Sequence, residues 1–329
     1  MRTELAKLFR HEIFDRSSAK TLLHKILDRN VNPSHVASFL AVYNMRQPTI
    51  GELQGFTDAL MESCKTIDLD ARDAIDIVGT GGDGKNTFNI STLSALVVAA
   101  AGVRVVKHGN YGSTSVSGSS NVLEKLGYQF SGDKSILKRQ LDLTNICFLH
   151  APLLHPIMGS VKQVRKEMGL QTIFNLLGPL INPAEPGKQL LGVSHHSHIR
   201  KYQYLLNETD KEYGIVHAMD GYDEISLTGS FKITGRDGTK LYYPEDIGMT
   251  RIAPQCLVAG NSVDESAIIF LDILLGRGTH QQEMVVIANS AFAIQCACLK
   301  TIDKCIEMAR TALYSGKAYQ ILKKIIELS

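Results

Sequence analysis

The chain has 329 residues, of which 44% are hydrophobic and 21% are charged, a balance typical of globular proteins. Its net charge is only +2, so no overall positive field attracts nucleic acid or an anionic membrane surface. The longest apolar-rich run, near residues 93–103, falls well short of the ~20 residues that a membrane span needs, and we expect neither a nucleic-acid nor a membrane partner.

Residues 1–65 predict helices only. The segments SSAKTLLHKILDR and PSHVASFLAVYNM carry apolar residues at helical spacing, with Ser17 and Ser18 as the expected caps of the first and Pro33 opening the second. In TIGE, Thr49 precedes Glu52 by three residues, which is the capping-box pattern at the start of a third helix.

From about residue 73 onward, strands and helices alternate. Short apolar strands are predicted at AIDIVG, VRVVKHGN and NICFLH, with helices at NISTLSALVVAAAG and SGSSNVLEKLG between them. This alternation is typical of a mostly parallel sheet.

The run VKQVRKEMGLQTIFNLLGPLINP predicts helix again, strands resume at KQLLGV and YGIVHAM, and the tail from residue 264 is nearly all helical. We therefore predict an α/β protein with two domains. A small all-helical domain comprises residues 1–66 and 167–187, and a large α/β domain with a mostly parallel central sheet comprises residues 67–166 and 188–329.

The glycine-rich stretch GTGGDGKNTFNIST, Gly79 to Thr92, follows a predicted strand and leads into a predicted helix. Such a turn presents backbone N–H groups and a helix N-terminus to an anion. The triphosphate pattern GxxxxGK[ST] fails at Asn86, where a magnesium-binding hydroxyl is needed. The dinucleotide pattern GxGxxG also fits, but no Asp or Glu occurs between Asp83 and Glu124 to hold a ribose.

The next predicted strand ends in Lys107 and continues into KHGNYGSTSVSGSSN, a loop rich in glycine and hydroxyl groups. A lysine at this place suits a second phosphate group rather than a ribose diol. We expect one ligand with phosphate groups at two places, one near residues 79–92 and one near Lys107.

Acidic residues follow the strand YGIVHAM, at Asp220, Asp223 and Glu224. Adjacent carboxylates repel one another unless a cation lies between them. Oxygen ligands beside a phosphate favour Mg²⁺. The sequence therefore predicts a magnesium site close to the phosphate loop.

The six cysteines form no CxxC pair and lie mostly in apolar surroundings. Reduced, buried thiols are typical of a cytoplasmic protein. The start of the sequence, MRTELAKLFRHEIF, has no apolar core of signal-peptide length, and we expect a cytoplasmic location.

Together these motifs resemble the anthranilate phosphoribosyltransferase family. GTGGDG, NIST, KHGN, GSSNVLEKLG, TIFNLLGPLINPA and GYDEIS occur in the order and spacing of that family, over nearly the whole chain. The resemblance implies the nucleoside phosphorylase-like phosphoribosyltransferase fold, and a homodimer formed through the helical domains. It implies transfer of the phosphoribosyl group from 5-phosphoribosyl 1-pyrophosphate (PRPP) to the amine of anthranilate in tryptophan biosynthesis, with Mg²⁺ as cofactor.

The resemblance also implies roles for individual residues. The residues matched to PRPP contacts are Gly79, Gly82, Asp83, Thr87, Asn89, Ile90, Ser91, Thr92, Lys107, His108, Gly109, Asn110, Ser115 and Ser119. The anthranilate contacts are matched by Gly79, Asn110 and Arg165, and the magnesium ligands by Ser91, Asp223 and Glu224. No covalent nucleophile is expected. For His108, action as a base, orientation of the amine and packing of the loop all stay open.

Three positions depart from the commonest family pattern: Tyr111 and Gln171 stand where arginine is common, and Asn121 stands where aspartate is common. Two other functions are also compatible with the fold. One is a pyrimidine nucleoside phosphorylase-like enzyme, whose lysine loop is similar to KHSTGG rather than KHGNYG. The other is a non-catalytic, nucleic-acid-binding paralogue, against which the low net charge and the Asp223–Glu224 pair argue.

Overall fold

The computed structural model of the protein describes residues 1–112 and 116–329. Within them the helices are α1 (Arg2–Phe9), α2 (Arg16–Leu27), α3 (Pro33–Met45), α4 (Ile50–Glu62), α5 (Ile90–Ala100), α6 (Ser119–Lys125), α7 (Lys134–Thr144), α8 (Ala151–Leu154), α9 (Gly159–Met168), α10 (Ile173–Leu177), α11 (His196–Asn207), α12 (Val263–Leu274), α13 (His280–Cys298), α14 (Ile302–Tyr314) and α15 (Lys317–Glu327). The strands are β1 (Ile75–Gly79), β2 (Val105–Gly109), β3 (Ile146–His150), β4 (Lys188–Gly192), β5 (Glu212–Ala218), β6 (Phe231–Gly235) and β7 (Gly238–Tyr242). None of the helices in these two ranges is both long enough and apolar enough to span a bilayer.

The chain divides into two units. One comprises Met1–Thr66 and Ala151–Pro183, and the other comprises Ile67–His150 and Ala184–Ser329. The chain first passes from one unit to the other between residues 66 and 67, as the sequence predicts. The second helical segment spans residues 151–183 instead of the predicted 167–187. Residues 151–166 group with the helices because α9 packs against α2 and α3, and the backbone N–H of Lys65 donates to the carbonyl of Leu154.

The helical unit is built from α1–α4 and α8–α10, and α2 packs closely against α4. The cap predicted for α2 is wrong: the helix begins at Arg16, and the carboxylate of Asp15 accepts a hydrogen bond from the N–H of Ser18. A carboxylate at this place also interacts favourably with the helix dipole, which a serine hydroxyl does not. The capping box predicted at Thr49 and Glu52 is confirmed.

The second unit contains a seven-stranded sheet in the order β3-β2-β1-β4-β5-β6-β7. The first five strands run parallel, and β6 and β7 add an antiparallel edge. The predicted mostly parallel sheet is therefore confirmed. Because the strands are parallel, the ends of β1 and β4 meet at Gly79 and Gly192, and the ends of β2 and β3 meet at Gly109 and His150. Open α/β sheets bind their ligands along this carboxyl edge.

Two buried helices pack over the sheet. In α5 the side chains from Thr92 to Ala100 are all buried, and the 19-residue α13 is buried over most of its length. The two helices pack against each other and against the sheet strands. This apolar packing fixes the N-terminus of α5 at the carboxyl edge of the sheet.

A buried carboxylate lies in the core of the helical unit. Glu52 is fully buried, and its side chain accepts hydrogen bonds from the Tyr43 hydroxyl at 2.8 Å and from Arg46 Nη2 at 2.6 Å. Thr49 N–H donates to Glu52 Oε2 at 2.9 Å and Phe14 N–H donates to Oε1 at 3.3 Å. Burial alone would raise the pKa of Glu52, but hydrogen bonds from Arg46, Thr49 and Tyr43 lower it overall.

Replacing Arg46 by alanine is expected to destabilise the helical unit strongly, because it leaves the Glu52 charge buried without its cation. The loss in the free energy of unfolding should be about 3–5 kcal/mol, measured by urea denaturation at pH 7. Lys20→Ala is the matched control, because it breaks the exposed pair with Glu62 and should cost at most about 1 kcal/mol. Equal losses in the two variants would contradict this account of Glu52.

The same contact has a defined pH dependence. Since the pKa of Glu52 is lower in the folded protein than in the unfolded chain, its contribution to stability is complete above the unfolded pKa. The contribution is lost as the pH falls through the folded pKa. The difference between the wild type and Arg46→Ala should therefore shrink below a pH of roughly 4.

Candidate functional site

The glycine-rich stretch forms an open loop from the end of β1 to the start of α5. Gly81, Gly82 and Gly84 adopt positive φ angles of 63°, 72° and 70°, a backbone conformation that favours glycine. The far end of the loop is held by residues 257–259: Phe88 N–H donates to the Leu257 carbonyl, and Thr87 forms a bridge with Val258. The loop therefore leaves its glycine backbone beside the carboxyl edge of the sheet.

The predicted acidic pair lies against this loop. Asp223 Oδ2 accepts a hydrogen bond from Gly81 N–H at 2.7 Å, and Glu224 Oε1 accepts one from Ser91 N–H at 2.9 Å. The structure thus brings the backbone of Ser91 to Glu224 and that of Gly81 to Asp223, and the magnesium site stays a prediction. Asp220, in contrast, is engaged by the hydroxyl of Thr228.

Electrostatics at the pair favour a bound cation. Burial and the nearby Asp83 raise the pKa of Asp223 to about 6. Burial, Asp223 and Asp83 raise the pKa of Glu224. Within residues 1–112 and 116–329, no three His, Cys, Asp or Glu side chains surround one metal position. The groups available to a hard divalent cation are the two carboxylates and the Ser91 hydroxyl, and such an ion would complete its shell with water and phosphate oxygens.

Lys107 lies in the same place rather than at a separate one. Its side chain is 3% exposed, and its ammonium group donates to the Ile77 carbonyl and, at 3.3 Å, to the Ser91 hydroxyl. Burial lowers the pKa of Lys107, and Asp76, Glu224 and Asp223 act in the opposite direction. Lys107 and the glycine-rich loop therefore belong to one site, whereas the sequence predicted two separate phosphate positions.

Other residues matched to PRPP contacts are less exposed than the loop glycines. Ile90 and Thr92 are buried in the first turn of α5, and His108 is 5% exposed. The backbone N–H of His108 donates to Asp76 at 3.2 Å. Asn89 Nδ2 donates to the Ser117 carbonyl at 3.0 Å, which ties the start of α5 to the second loop.

The second loop leaves β2 at Gly109 and returns at Ser119, the first residue of α6. Ser119 Oγ donates to the Asn110 carbonyl at 3.2 Å, so these two predicted contact residues lie together. Ser115 lies outside the described residues. Tyr111 donates to Glu124 at 2.8 Å, and its ring meets that of His150 edge-on at 4.9 Å.

Arg165 belongs to the helical unit, on α9. Its guanidinium lies 5.2 Å from the centre of the Phe174 ring, and burial lowers its pKa. In the described part of the chain it forms no ion pair. Arg165 is thus a partly buried cation on an aromatic face, a geometry that suits a planar carboxylate ligand.

Two glycines in register form a slot for Asp223. A β-carbon on Gly79 would lie 3.0 Å from the carboxyl carbon of Asp223. A β-carbon on Gly192 would overlap the backbone oxygen of Asp223 and lie 2.7 Å from its carbonyl carbon. Gly79 and Gly192 pair across β1 and β4. Together they let the segment 220–224, here called the acidic turn, approach the sheet directly.

Sequence reasoning missed two residues of this site, Gly192 and Asn289. The Asn289 side chain, on α13, accepts from Ile225 N–H at 2.9 Å and donates to the Ile225 carbonyl at 2.8 Å. It thereby fixes the residue that follows the acidic pair. An asparagine inside the apolar run MVVIANSAFAI was a signal, since a buried amide needs polar partners. Gly192 had no local signal.

Gly192→Ala is expected to force the acidic turn away from the sheet, because backbone atoms cannot yield as a flexible side chain does. We expect a loss of about 1–3 kcal/mol in the free energy of unfolding, measured by chemical denaturation. Gly214→Ala on β5 is the control, because its β-carbon would meet side-chain atoms and no backbone: the end of Leu190 at 3.2 Å and of Ile233 at 3.9 Å. A Gly192→Ala protein as stable as the control would disprove the slot.

Comparisons with known proteins agree with this architecture. The family model described as "Glycosyl transferase family, helical bundle domain" matches residues 3–64, and "Glycosyl transferase family, a/b domain" matches residues 71–319. The chain is 47% identical to the anthranilate phosphoribosyltransferases of Flavobacterium johnsoniae and Bacteroides fragilis, over the full length of both partners in each comparison.

Solved structures give the same result. The anthranilate phosphoribosyltransferase of Thermus thermophilus has a TM-score of 0.91 at 30% identity, covering 98% of each chain. The Saccharomyces cerevisiae enzyme, in complex with PRPP and Mg, has a TM-score of 0.86 at 26% identity, covering 95% of this chain and 92% of that one. The matches span both units, and the chain belongs to the anthranilate phosphoribosyltransferases within the glycosyl transferase family.

Proposed function

We propose that this protein transfers the phosphoribosyl group of PRPP to the amine of anthranilate, giving N-(5-phosphoribosyl)anthranilate and pyrophosphate in tryptophan biosynthesis. The observation that carries the proposal is the adjacent Asp223 and Glu224, the first buried and the second half-buried. They are held by the N–H groups of Gly81 and Ser91 at the edge of a parallel sheet. Family membership and the full-length relatives give the reaction class.

The donor substrate needs charge neutralisation at its diphosphate. Bound Mg²⁺ would neutralise the charge that develops on the departing pyrophosphate. Ser91, Asp223 and Glu224 are the residues that would hold this ion. Lys107 adds a buried positive charge beside Ser91, and the N-terminus of α5 at the end of the glycine-rich loop would favour phosphate oxygens.

The remaining residues matched to PRPP lie around the same edge. The glycine-rich loop contains Gly79, Gly82, Asp83 and Thr87. The loop between β2 and α6 begins near Asn110 and ends at Ser119. We assign His108 no proton transfer, because an aryl amine is neutral at pH 7 and needs little deprotonation before it attacks. Its buried position suits packing of the loop.

Arg165 is proposed to bind the carboxylate of anthranilate. It is a partly buried guanidinium with no ion-pair partner in the described ranges, and a guanidinium fork matches a carboxylate bidentately. Holding the amine and the ribose in line would supply much of the remaining rate acceleration.

We further propose a homodimer formed through the helical unit and a cytoplasmic location. The helical unit exposes several large apolar side chains, which a subunit contact would cover; they are Phe9, Ile13, Met45, Leu153 and Leu170. All six cysteines are free thiols, as suits a reducing compartment. No observation favours a nucleoside phosphorylase or a nucleic-acid-binding role over phosphoribosyl transfer.

The direct test of the reaction follows anthranilate fluorescence after addition of PRPP and Mg²⁺. Consumption of anthranilate that requires the protein, PRPP and Mg²⁺ together supports the proposal. Unchanged fluorescence with protein that binds PRPP in calorimetry would overturn it.

Asp223→Asn combined with Glu224→Gln is expected to abolish turnover, because the amides cannot hold the cation against pyrophosphate. Mn²⁺ binding, followed by electron paramagnetic resonance in the presence of PRPP, should be lost as well. The control is Asp237→Asn with Glu245→Gln, two exposed positions of the same unit. Near-normal turnover of the Asp223–Glu224 variant would show that other groups bind the metal.

Arg165→Ala is expected to raise the KM for anthranilate roughly ten- to a hundredfold, since a hydrogen bond to a charged group contributes about 1.5–3 kcal/mol. The KM for PRPP should change much less. Lys166→Ala, at the exposed neighbouring position, removes an equal charge and should leave both constants near the wild type. An unchanged KM for anthranilate in Arg165→Ala would exclude the carboxylate role.

A further inference from the structure

The side chain of Asn121 joins the two ends of the loop between β2 and α6, here called the neck of the loop. Asn121 Oδ1 accepts hydrogen bonds from the backbone N–H of Gly112 at 2.9 Å and of Gly118 at 3.0 Å. Both partners are N–H donors, so the atom that faces them must be the amide oxygen. One oxygen thus joins the outgoing limb of the loop to the returning limb.

Helix capping explains only half of this contact. Asn121 is the third residue of α6, and a bond back to the residue before the helix, Gly118, is the usual half of a capping box. Gly112 lies nine residues before Asn121 and is no part of the helix. The second bond therefore serves the loop rather than the helix.

The two limbs are also in direct contact at this point. A β-carbon on Gly118 would overlap Gly112 N and lie 2.8 Å from the Asn110 carbonyl oxygen. The Asn110 carbonyl in turn accepts hydrogen bonds from Ser119 Oγ and Ser120 N–H, both at 3.2 Å. The neck is therefore a small, close-packed unit, and the Asn121 oxygen accepts two of the hydrogen bonds that hold it together.

Further contacts connect this neck to the rest of the site. On the returning limb, Val116 N–H donates to Asn86 Oδ1 at 3.2 Å, and Asn89 donates to the Ser117 carbonyl. These amides belong to the glycine-rich loop and the start of α5. On the outgoing limb, the Tyr111 hydroxyl donates to Glu124 on α6. Asn121 thus joins the two ends of a loop whose returning limb is hydrogen-bonded to the glycine-rich loop and to the start of α5.

We propose that Asn121 is a positioning residue for PRPP: by closing the neck of the β2–α6 loop it holds Asn110 and Ser119 in the place where they meet the substrate. The inference rests on the proposed phosphoribosyl transfer for its effect on substrate. The closure itself is a property of the free protein. The two parts are therefore tested separately.

The first test measures hydrogen–deuterium exchange by mass spectrometry, on fragments that cover residues 108–120 of the free protein. Asn121→Ala removes the acceptor, and alanine is a good helix former, so α6 is retained. The amides of Gly112 and Gly118 should then exchange faster by roughly five- to thirtyfold, as expected when one to two neutral hydrogen bonds are lost. Asn121→Asp keeps an acceptor oxygen and should retain the protection. Unchanged exchange in Asn121→Ala would overturn the closure.

The second test measures steady-state kinetics. In Asn121→Ala the KM for PRPP should rise roughly five- to thirtyfold. The KM for anthranilate, to which Asn110 is also matched, should rise less, and kcat should stay within about threefold of the wild type. Asn121→Asp should restore the KM for PRPP. Asn261→Ala is the control, an exposed asparagine of the same unit. Faster exchange with an unchanged KM for PRPP would overturn the positioning role, whereas a wild type without turnover would count against the proposed reaction alone.

Discussion

The second unit depends on one electrostatic constraint, two adjacent carboxylates, one buried and one half-buried, at the end of a sheet. Burial raises the pKa of both Asp223 and Glu224, so each needs compensation from its surroundings. Each receives one backbone N–H, from Gly81 and from Ser91. Lys107 supplies opposite charge at the same place. The protein's own groups therefore compensate these carboxylates only in part. Such a region is suited to a bound cation together with a phosphorylated ligand.

The surrounding packing follows from that constraint. The acidic turn reaches the sheet only because Gly79 and Gly192 lack a side chain. Asn289 then fixes the turn through both backbone groups of Ile225. Because Asn289 lies on α13, which packs against α5, the same helix layer positions the acidic turn and the N–H of Ser91. The buried helices thus determine the geometry of the site as well as the stability of the unit.

The sequence predicted the features that are local or periodic. The parallel strands, the glycine loop and the acidic pair each carry their signal within a few neighbouring residues, and the structure brings them to one edge. The cap of α2 was misjudged by two or three residues because Asp15 competes with the serines. Gly192 could not be predicted, since its role depends on a contact with Asp223, thirty-one residues away. The grouping of residues 151–166 was likewise decided by tertiary packing of α9 on α3.

Two departures from the commonest family pattern, Tyr111 and Asn121, each replace a charged residue by a neutral one within the same loop and helix. Tyr111 stands where a positive charge is common; its hydroxyl donates to Glu124, and its ring packs on His150. Asn121 stands where a negative charge is common, three residues before Glu124; its oxygen accepts from both limbs of the loop. The two changes have opposite sign and lie on the same loop and helix, so the net charge there is unchanged. A neutral tyrosine and a neutral asparagine therefore supply hydrogen bonds to this loop without a charge on either side chain.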